Sequence, residues 1–293
     1  MKKLAILSLF FFAMQSIIAQ QRIFLYSSDI KGITIPGFDS LAPFIDYYPA
    51  QQSSGAKTAV LICAGGGYQH LSWEKEGTVP AKFFNEHGID AFVLRYRLNN
   101  AKQEGHVYPA QLNDVTTALL TIKSKAAEFG IDPSKVGVMG FSAGGHLASC
   151  AATIFTDTYP YSAKAEKLKF DSRPAFAILL YPVITMDTTF AHTGSRKMLL
   201  GEHPSATLVD LLSTEKRVTA NTPPTMLVLA DDDKTVPPLN SIVFYEALKK
   251  NKIPASLHIY DHGGHGFGTA PTDPILNQWP SLALAWMARL GFK

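Results

Sequence analysis

Cysteine and charged residues are both scarce in this sequence of 293 residues. The two cysteines, Cys63 and Cys150, are too few for a disulfide-stapled scaffold or a cysteine-rich metal site. Charged residues make up 17% and hydrophobic residues 46%, which excludes an intrinsically disordered chain and predicts a full-sized core. Because each cysteine lies in an apolar stretch, we favour two buried thiols, with a disulfide between them as the alternative.

The chain also lacks a strong excess of either charge. Its formal net charge is +3, and the basic residues are scattered rather than clustered. Such a distribution offers no electrostatic attraction for nucleic acid or for an anionic membrane surface. The expected partner is therefore a small or neutral molecule.

The apolar run at the amino terminus is too short to span a bilayer. Residues 4–18 include Gln15 and number 15, whereas a membrane-spanning helix needs about 20 apolar residues. Two lysines precede this run and small residues up to Ala19 end it, which is typical of a secretory signal peptide. We therefore predict a signal peptide over residues 1–19, a mature chain that begins near Gln20, and a secreted or periplasmic protein with no membrane attachment after cleavage. An uncleaved membrane anchor is the alternative.

Beyond residue 57, short apolar segments alternate with longer helix-like ones. Near-continuous hydrophobicity in a short segment is typical of a parallel strand that helices cover on both faces. We predict strands over residues 58–63, 90–96, 135–141, 175–181, 225–230 and 256–260. We predict helices over residues 77–87, 109–129, 144–154, 239–251 and 275–290. This alternation indicates a mostly parallel, doubly wound α/β sheet in one domain over residues 20–293.

Two further regions flank or interrupt this pattern. Short segments at residues 33–35 and 43–48 are expected to add antiparallel strands at one edge of the sheet. Residues 182–224 form the longest interval without a predicted strand, and short helices are predicted in it at 195–200 and 208–212. We expect this interval to be a cap-like insertion over the carboxyl ends of the strands, where open α/β sheets bind ligands.

A G-x-S-x-G motif occupies residues 140–144, and its context matters more than the pattern. It follows a predicted strand directly and opens a predicted helix, so Ser142 lies at a sharp strand-to-helix turn. The amino end of that helix directs backbone N–H groups toward a developing negative charge. Ser142 is therefore the candidate nucleophile, with a chance glycine-rich turn as the alternative.

A serine hydroxyl needs an imidazole base, itself oriented by a carboxylate, to become a good nucleophile. In folds of this kind the acid and the histidine follow later strands, in that order. Three aspartates, residues 231–233, end one predicted strand, and His262 and His265 follow the next. Both partners therefore occur where they are needed, although position alone does not choose among the aspartates or between the histidines.

Four short motifs occur between residues 63 and 267. They are C-A-G-G-G-Y at residues 63–68, G-F-S-A-G-G-H at 140–146, D-K-T-V-P at 233–237 and G-G-H-G-F at 263–267. In these motifs the chain resembles the α/β-hydrolase serine esterases of the group that contains acetyl xylan esterases and feruloyl-type carbohydrate esterases, near the hormone-sensitive-lipase-like group. The resemblance runs from about residue 58 to the carboxyl terminus and implies the α/β-hydrolase fold.

The resemblance also selects a triad. The D-x-x-V-P arrangement fits Asp233 as the acid, with Asp232 as the alternative, and G-G-H-G-F fits His265 as the base. It implies that Ser142, Asp233 and His265 are the catalytic residues. His262 is then interpreted as a residue that caps the strand end or faces solvent.

An oxyanion hole is implied as well. In similar enzymes the backbone N–H groups come from the glycine loop and from the residue after the nucleophile, which here are Gly66, Gly67 and Ala143. The lipase-like relatives carry histidine before the three glycines, whereas this chain has Ala64, which places it nearer the carbohydrate-esterase branch. The resemblance implies neither a metal nor an organic cofactor.

Aromatic residues near these motifs are candidate substrate contacts. Tyr68 and Trp73 follow the glycine loop, where an aromatic face can stack on a sugar ring, and Tyr181 at a strand end is a candidate wall of the acyl pocket. A place in the core is the alternative for each. Glu74 and Glu76 are interpreted as acids in the first turn of a helix, where the dipole favours them.

The sequence therefore predicts a secreted serine carboxylesterase that hydrolyses short-chain acyl esters, with acetyl groups on plant-type polysaccharide or oligosaccharide as the first choice. One alternative is a serine peptidase of the prolyl-oligopeptidase type, although too few residues precede residue 58 for its accessory propeller domain. The other is a catalytically inactive hydrolase fold that acts as a binding protein, against which the complete triad argues.

Overall fold

The computed structural model describes residues 21–26, 42–50, 57–99, 107–155 and 171–293. The predicted signal peptide and the strand predicted at 33–35 lie outside the described residues. Within the described part of the chain, no helix is both long and apolar enough to cross a bilayer.

The strands of the described residues form one sheet. They are β1 Gln21–Phe24, β2 Phe44–Tyr48, β3 Lys57–Cys63, β4 Asp90–Arg95, β5 Ile131–Phe141, β6 Ala177–Leu180, β7 Thr225–Ala230 and β8 Ala255–Tyr260. Their order across the sheet is β1-β2-β4-β3-β5-β6-β7-β8. The pairs β1–β2 and β2–β4 are antiparallel, and all other pairs are parallel. A mostly parallel sheet with antiparallel strands at one edge confirms the predicted fold class.

Both faces of this sheet are buried, because side chains along each strand alternate between two apolar layers. In β3, Ala59, Leu61 and Cys63 contribute to one hydrophobic cluster, whereas Val60 and Ile62 contribute to the other. All five are fully excluded from solvent. A strand buried on both faces must be apolar at every position, which is the pattern that predicted it.

Helices cover the two faces. They are α1 Val79–Glu86, α2 Ala110–Ser124, α3 Ala126–Phe129, α4 Ser142–Thr153, α5 Thr193–Leu200, α6 Ala206–Leu212, α7 Leu239–Lys250 and α8 Trp279–Arg289. A π-helical turn, Glu74–Thr78, precedes α1, and 3-10 turns occupy Thr214–Arg217 and Leu276–Gln278. Helices α2, α4 and α7 pack into the first cluster, and α1 and α8 pack into the second. The domain is therefore doubly wound.

Helix boundaries differ from the prediction in several places, and the helix predicted at 77–87 is a π-helical turn, Glu74–Thr78, followed by α1. The helix predicted at 109–129 is divided at Lys125, whose backbone leaves helical geometry at φ −98° and ψ 10°. The helix predicted at 144–154 begins two residues earlier, at Ser142, and the one predicted at 275–290 starts with a 3-10 turn. The interval between β6 and β7 contains α5 and α6, close to the short helices predicted there.

The two cysteines contribute to the core as free thiols. Cys63 ends β3 and Cys150 lies in α4, and both are buried and free. Burial raises the pKa of both thiols, because desolvation disfavours the thiolate. The structure thus agrees with two buried thiols rather than a disulfide.

The parallel strands bring the candidate site residues to one edge of the sheet. β3 leads into the glycine loop, residues 65–67, β5 leads into Ser142, β7 into Asp233 and β8 into His265. Because β3 and β5 are neighbours in parallel register, the glycine loop and Ser142 begin side by side. Carboxyl ends of parallel strands are where open α/β folds place their ligand sites.

Candidate active site

Ser142 lies between β5 and α4 in a backbone conformation that few side chains adopt. Its φ is 52°, while Phe141 before it is still extended at φ −118°. A Cβ on Gly140 would lie 2.1 Å from the carbonyl oxygen of Gly144, and one on Gly144 would lie 2.1 Å from that of Cys63. The G-x-S-x-G spacing is thus a steric requirement of the turn that presents Ser142 at the amino end of α4.

The structure brings Ser142, His265 and Asp233 together in one hydrogen-bonded chain. The Nε2 atom of His265 lies 2.8 Å from the Oγ atom of Ser142, and its Nδ1 atom lies 2.7 Å from the Oδ2 atom of Asp233. Because a carboxylate only accepts hydrogen bonds, Nδ1 carries the proton and Nε2 accepts from the serine hydroxyl. This is the tautomer that a general base requires.

Asp233 differs from the two aspartates before it in both burial and contacts. It is 6% exposed, and its second oxygen, Oδ1, accepts backbone hydrogen bonds from Thr235 and Val236 at 2.9 Å each. Asp231 is exposed, and Asp232 accepts a hydrogen bond from the backbone N–H of Gly264 at 2.7 Å. Of the three, Asp233 is the carboxylate that contacts the imidazole, as the resemblance implied.

His262 contacts other carboxylates and takes no part in this chain of hydrogen bonds. Its ring nitrogens lie 2.7 Å from Asp261 and 2.8 Å from Asp273, and these carboxylates raise the pKa of His262. The interpretation of His262 as a surface residue at the strand end is in keeping with this geometry. Among the described residues, no group of three or more His, Cys, Asp or Glu side chains could hold a metal ion.

The glycine loop turns sharply beside Ser142. Gly66 has φ 127°, and a Cβ there would lie 2.2 Å from the carbonyl oxygen of His70, so only glycine fits. In the described structure the N–H groups of Gly66 and Gly67 donate to no protein acceptor. Ala143 is the second residue of α4, where an N–H has no intrahelical acceptor. All three amides are therefore free to donate to a bound oxygen.

Glu76 lies in the first turn of the π-helical segment, as predicted, but its burial and its contacts could not be predicted from the sequence. Glu74 is exposed, as expected for a first-turn acid, but Glu76 is only 4% exposed. Its Oε2 atom accepts from the backbone N–H of Gly65 at 2.9 Å, and its Oε1 atom accepts from the Tyr181 hydroxyl at 2.8 Å. Burial raises the pKa of Glu76, and these hydrogen bonds lower it. The available signal was Gly77, whose lack of a side chain lets this turn lie against the sheet.

Two of the predicted aromatic contacts belong to the core, and one is partly exposed. Tyr68 is fully buried, and its hydroxyl hydrogen-bonds to the Nδ1 atom of His146 at 2.8 Å, so its ring has no free face for a sugar. Trp73 is half-buried, with its ring against that of Phe44 at 5.8 Å. A stacking role is therefore wrong for Tyr68, and for Trp73 it stays a prediction.

Tyr181 supports the site from beneath instead of lining a pocket. It is 1% exposed, and its ring packs edge-on against that of His265, with centroids 5.1 Å apart. Its hydroxyl donates to Glu76 and accepts from the backbone N–H of Gly268 at 3.0 Å. With no exposed face, Tyr181 cannot form the wall of an acyl pocket as we expected from its place at a strand end.

His192 is a neighbour of the triad that we set aside in the sequence. It precedes α5, and its Nδ1 atom accepts from the backbone N–H of Ser195 at 3.2 Å. Burial lowers the pKa of His192, repulsion between the protonated forms of His192 and His265 lowers it further, and Asp233 raises it. The segment between β6 and β7 therefore reaches the site, although nothing in the local sequence of His192 marks it.

Comparisons with known proteins identify relatives of this chain. A sequence family described as BD-FAE matches residues 45–248. An acetylxylan esterase of Xylanibacter ruminicola is 35% identical over 234 residues, which are 78% of this chain and 44% of that protein. Endo-1,4-beta-xylanase B of Butyrivibrio fibrisolvens is 33% identical over 223 residues, which are 76% of this chain and 34% of that protein. The chain thus spans less than half the length of these two relatives.

Solved structures extend the likeness over almost the whole chain. The acetyl ester-xyloside bifunctional hydrolase of Caldicellulosiruptor lactoaceticus is 36% identical, with a TM-score of 0.84 over 93% of this chain and 97% of that one. The Est2 esterase of Thermogutta terrifontis, with propionate bound, has a TM-score of 0.75 over 93% of this chain and 95% of that one. At 23% identity, Est2 shows the fold alone. These matches confirm the α/β-hydrolase fold and the resemblance to the acetyl xylan esterase group.

Proposed function

The chain belongs to the BD-FAE family, and from this membership and the geometry of the site we propose that the protein is a serine carboxylesterase. The observation that carries the proposal is the continuous hydrogen-bonded chain from Ser142 through His265 to Asp233. Such a chain lets a serine hydroxyl lose its proton as it attacks a carbonyl carbon.

In the proposed mechanism, the Oγ atom of Ser142 attacks the ester carbonyl while the Nε2 atom of His265 accepts the hydroxyl proton. Asp233 holds the imidazole and stabilises its protonated form. The proton then passes from His265 to the alcohol oxygen as the ester bond breaks. Water attacks the acyl-serine carbonyl as His265 accepts its proton, and that proton passes to the Oγ atom of Ser142 as the serine–acyl bond breaks and the acid leaves.

The negative oxygen of the tetrahedral intermediate needs donors already in place. We assign this role to the backbone N–H groups of Gly66, Gly67 and Ala143, which have no acceptor among the described residues. Removal of one such donor costs about 3 kcal/mol of transition-state stabilisation. The positive end of the α4 dipole adds to the same field.

For the substrate, we propose an acetyl ester on a xylan-type polysaccharide or oligosaccharide. Proteins named as an acetylxylan esterase and an acetyl ester-xyloside hydrolase resemble this chain at 35% and 36% identity. The interval at 182–224 is polar, with His192, Arg196 and Lys197 among its residues, which does not suit an apolar lid over long acyl chains. A short acyl group on a hydrophilic alcohol is in keeping with both observations.

We further propose that the protein is exported, with cleavage near Gln20. The support is the charged, apolar and small-residue order of residues 1–19. Expression of the full chain in a bacterial host with a secretion pathway, followed by amino-terminal sequencing, tests this. An amino terminus at Met1 in all of the recovered protein would refute it.

Two measurements on the purified protein and on Ser142→Ala test the catalytic proposal. The unaltered protein should hydrolyse p-nitrophenyl acetate and release acetate from acetylated xylan, and a fluorophosphonate probe should label it at Ser142. The Ser142→Ala variant should lose about 10⁶-fold in kcat and should not be labelled.

The pattern of results separates the activity from its substrate. Hydrolysis of p-nitrophenyl acetate without acetate release from xylan would refute the carbohydrate substrate alone. Labelling at another residue, or full activity in Ser142→Ala, would refute the mechanism. Folding of the variant, checked by circular dichroism and by its unfolding midpoint, makes its loss of activity interpretable.

A further inference from the structure

We infer that Glu76 is a positioning residue that holds the glycine loop and the histidine loop, residues 261–268, in place around Ser142 through one buried carboxylate. The inference rests on the proposed esterase function. Its first basis is that each oxygen of this carboxylate contacts a different part of the site. Gly65 is bound by one oxygen, and Tyr181, which in turn contacts the histidine loop, is bound by the other.

On the first side, Glu76 fixes the start of the glycine loop. Its Oε2 atom accepts from the N–H of Gly65 at 2.9 Å. A Cβ built on Gly65 would lie 2.7 Å from that same oxygen, 2.8 Å from the carbonyl oxygen of Phe141 and 2.9 Å from the Cβ of Ser142. Gly65 is thus clamped between the carboxylate and the serine turn. A shift of the carboxylate would move the two amides that follow, at Gly66 and Gly67.

On the second side, Tyr181 transmits the contact to the histidine loop. Its hydroxyl donates to the Oε1 atom of Glu76 at 2.8 Å and accepts from the N–H of Gly268 at 3.0 Å. The tyrosine ring packs against the rings of His265 at 5.1 Å and Phe267 at 4.7 Å. Tyr181 has φ 35°, a strained value for a residue with a side chain, so its backbone stays there only because surrounding contacts hold it.

The hydrogen bonds run in one direction and end on the carboxylate. The N–H of Gly268 donates to the Tyr181 hydroxyl, that hydroxyl donates to Glu76, and the N–H of Gly65 donates to the other oxygen of Glu76. An ionised carboxylate can accept both, whereas an amide side chain has one acceptor and places an N–H against the second donor. Glutamine at position 76 therefore fills the same volume but cannot close the network.

The position of Glu76 is also electrostatically matched to the reaction. Nearby His265 acts on the charge of Glu76 and lowers the pKa of that carboxyl, although burial raises it by more. A carboxylate at this position therefore places negative charge near the imidazole that takes up the serine proton in the proposed mechanism. Glu76 contacts neither the proposed nucleophile nor the base directly, so its effect is exerted through Gly65, Tyr181 and its charge.

The test compares Glu76→Gln and Tyr181→Phe with matched substitutions at the opposite end of the sheet. Asp90 is fully buried and likewise accepts from a tyrosine hydroxyl, that of Tyr47 at 2.7 Å, and from a backbone N–H, that of Ala50 at 3.0 Å. It begins β4, so it lies at the amino end of the parallel strands, away from the site. Asp90 also forms an ion pair with Lys57 at 2.7 Å, so Asp90→Asn disturbs at least as many buried contacts as Glu76→Gln does. Asp90→Asn and Tyr47→Phe leave the site itself unaltered.

For Glu76→Gln we expect kcat on p-nitrophenyl acetate to fall by about 10-fold to 100-fold, because displacement of catalytic groups by about 1 Å costs up to this much. The KM should stay near that of the unaltered protein, since the displaced groups act mainly on the transition state rather than on the bound ester. Fluorophosphonate labelling should slow to a similar degree. The double variant Glu76→Gln/Tyr181→Phe should be little worse than the poorer single variant, because both act through one carboxylate.

The outcomes show whether Glu76 positions the catalytic groups or only stabilises the fold. The inference is supported if kcat falls in the Glu76 and Tyr181 variants but is unchanged in Asp90→Asn and Tyr47→Phe. The two control variants should show this while their unfolding midpoints fall by as much or more. Unchanged kcat in Glu76→Gln, or multiplying losses in the double variant, overturns it. If Glu76→Gln does not fold, Tyr181→Phe, which removes a single hydroxyl, decides alone. An unaltered protein that neither turns over ester nor labels at Ser142 refutes the proposed function itself.

Discussion

His146 should make the fold lose stability in mild acid, and the structure allows the size of that loss to be worked out. The residue lies one turn after Ser142 in α4 and is fully buried. The Tyr68 hydroxyl donates to its Nδ1 atom at 2.8 Å, and its Nε2 N–H donates to the carbonyl oxygen of Leu212 at 2.8 Å. The neutral ring thus satisfies one donor and one acceptor, and a second ring proton would face the tyrosine oxygen.

Burial lowers the pKa of His146 from 6.5 to about 4. As the pH falls below 6.5, the unfolded chain takes up a proton at this residue, whereas the folded chain takes up none until about pH 4. Protonation therefore favours the unfolded state, and the stability is fully present above pH 6.5 and is lost as the pH falls toward 4. A shift of this size corresponds to about 3 kcal/mol of unfolding free energy at roughly 1.4 kcal/mol per pKa unit.

The contribution of His146 to the pH dependence of stability can be measured by urea unfolding at pH 7 and at pH 4.5. The two proteins to compare are the unaltered protein and His146→Gln. Glutamine does not titrate, and its amide can donate to the Leu212 carbonyl and accept from the Tyr68 hydroxyl. Other groups with a lowered pKa, such as His192 and His258, are common to both proteins and cancel in the difference. The unaltered protein should lose about 2–3 kcal/mol more than the variant over this range.

An equal loss in the two proteins would refute the reasoning, since it would mean that His146 takes up its proton equally readily in the folded and the unfolded chain. His258→Gln is the matched control. Burial also lowers the pKa of His258, but this residue is half-buried in the edge strand β8, so its removal should change the pH dependence less. A larger effect at His258 than at His146 would contradict the burial argument as well.

Two further substitutions test the geometry of the site. Asp233→Asn should lower kcat by roughly 10⁴-fold, because an amide favours the wrong histidine tautomer. Asp232→Asn should lower kcat little, because its side-chain oxygen can still accept from Gly264. The reverse order of the two losses in an ester assay would identify Asp232 as the acid. Gly65→Ala should lower kcat by at least about 10²-fold, because its methyl group would lie within 3.0 Å of Glu76, Phe141 and Ser142. A near-normal kcat in folded Gly65→Ala would show that the glycine loop can move without loss of activity.

The sheet and the turn at Ser142 could be predicted because local sequence determines them. A strand buried on both faces has to be largely apolar, and residues 59–63 are apolar at every position. The turn at Ser142 excludes side chains at Gly140 and Gly144. The spacing of glycines in one short motif therefore predicts the conformation of the turn. Loops that follow parallel strands meet at one edge, which predicts that the aspartates at residues 231–233 and the histidines at 262 and 265 lie near Ser142. The choice of Asp233 and His265 among them came from the resemblance to known esterases.

The supporting contacts could not be predicted, because each depends on a partner far away in the chain. Glu76 and Tyr181 are separated by 105 positions, and Tyr68 and His146 by 78. An acid two residues into a helical turn looks the same in sequence whether it faces solvent or a tyrosine hydroxyl. Likewise, a tyrosine after the glycine loop is equally compatible with a sugar-binding face and with a buried ring.

Both misread tyrosines lie beneath the site, and this explains why their rings are unavailable to substrate. Tyr68 ties the segment after the glycine loop to His146 in α4, and Tyr181 ties Glu76 to the histidine loop. Loops at a sheet edge have no ladder of backbone hydrogen bonds to fix them, so buried side chains must do so. An aromatic residue with a hydroxyl fills the apolar space under such loops and still satisfies a polar partner. Aromatic residues adjacent to a catalytic motif are therefore as well suited to hold the loops as to bind what lies above them.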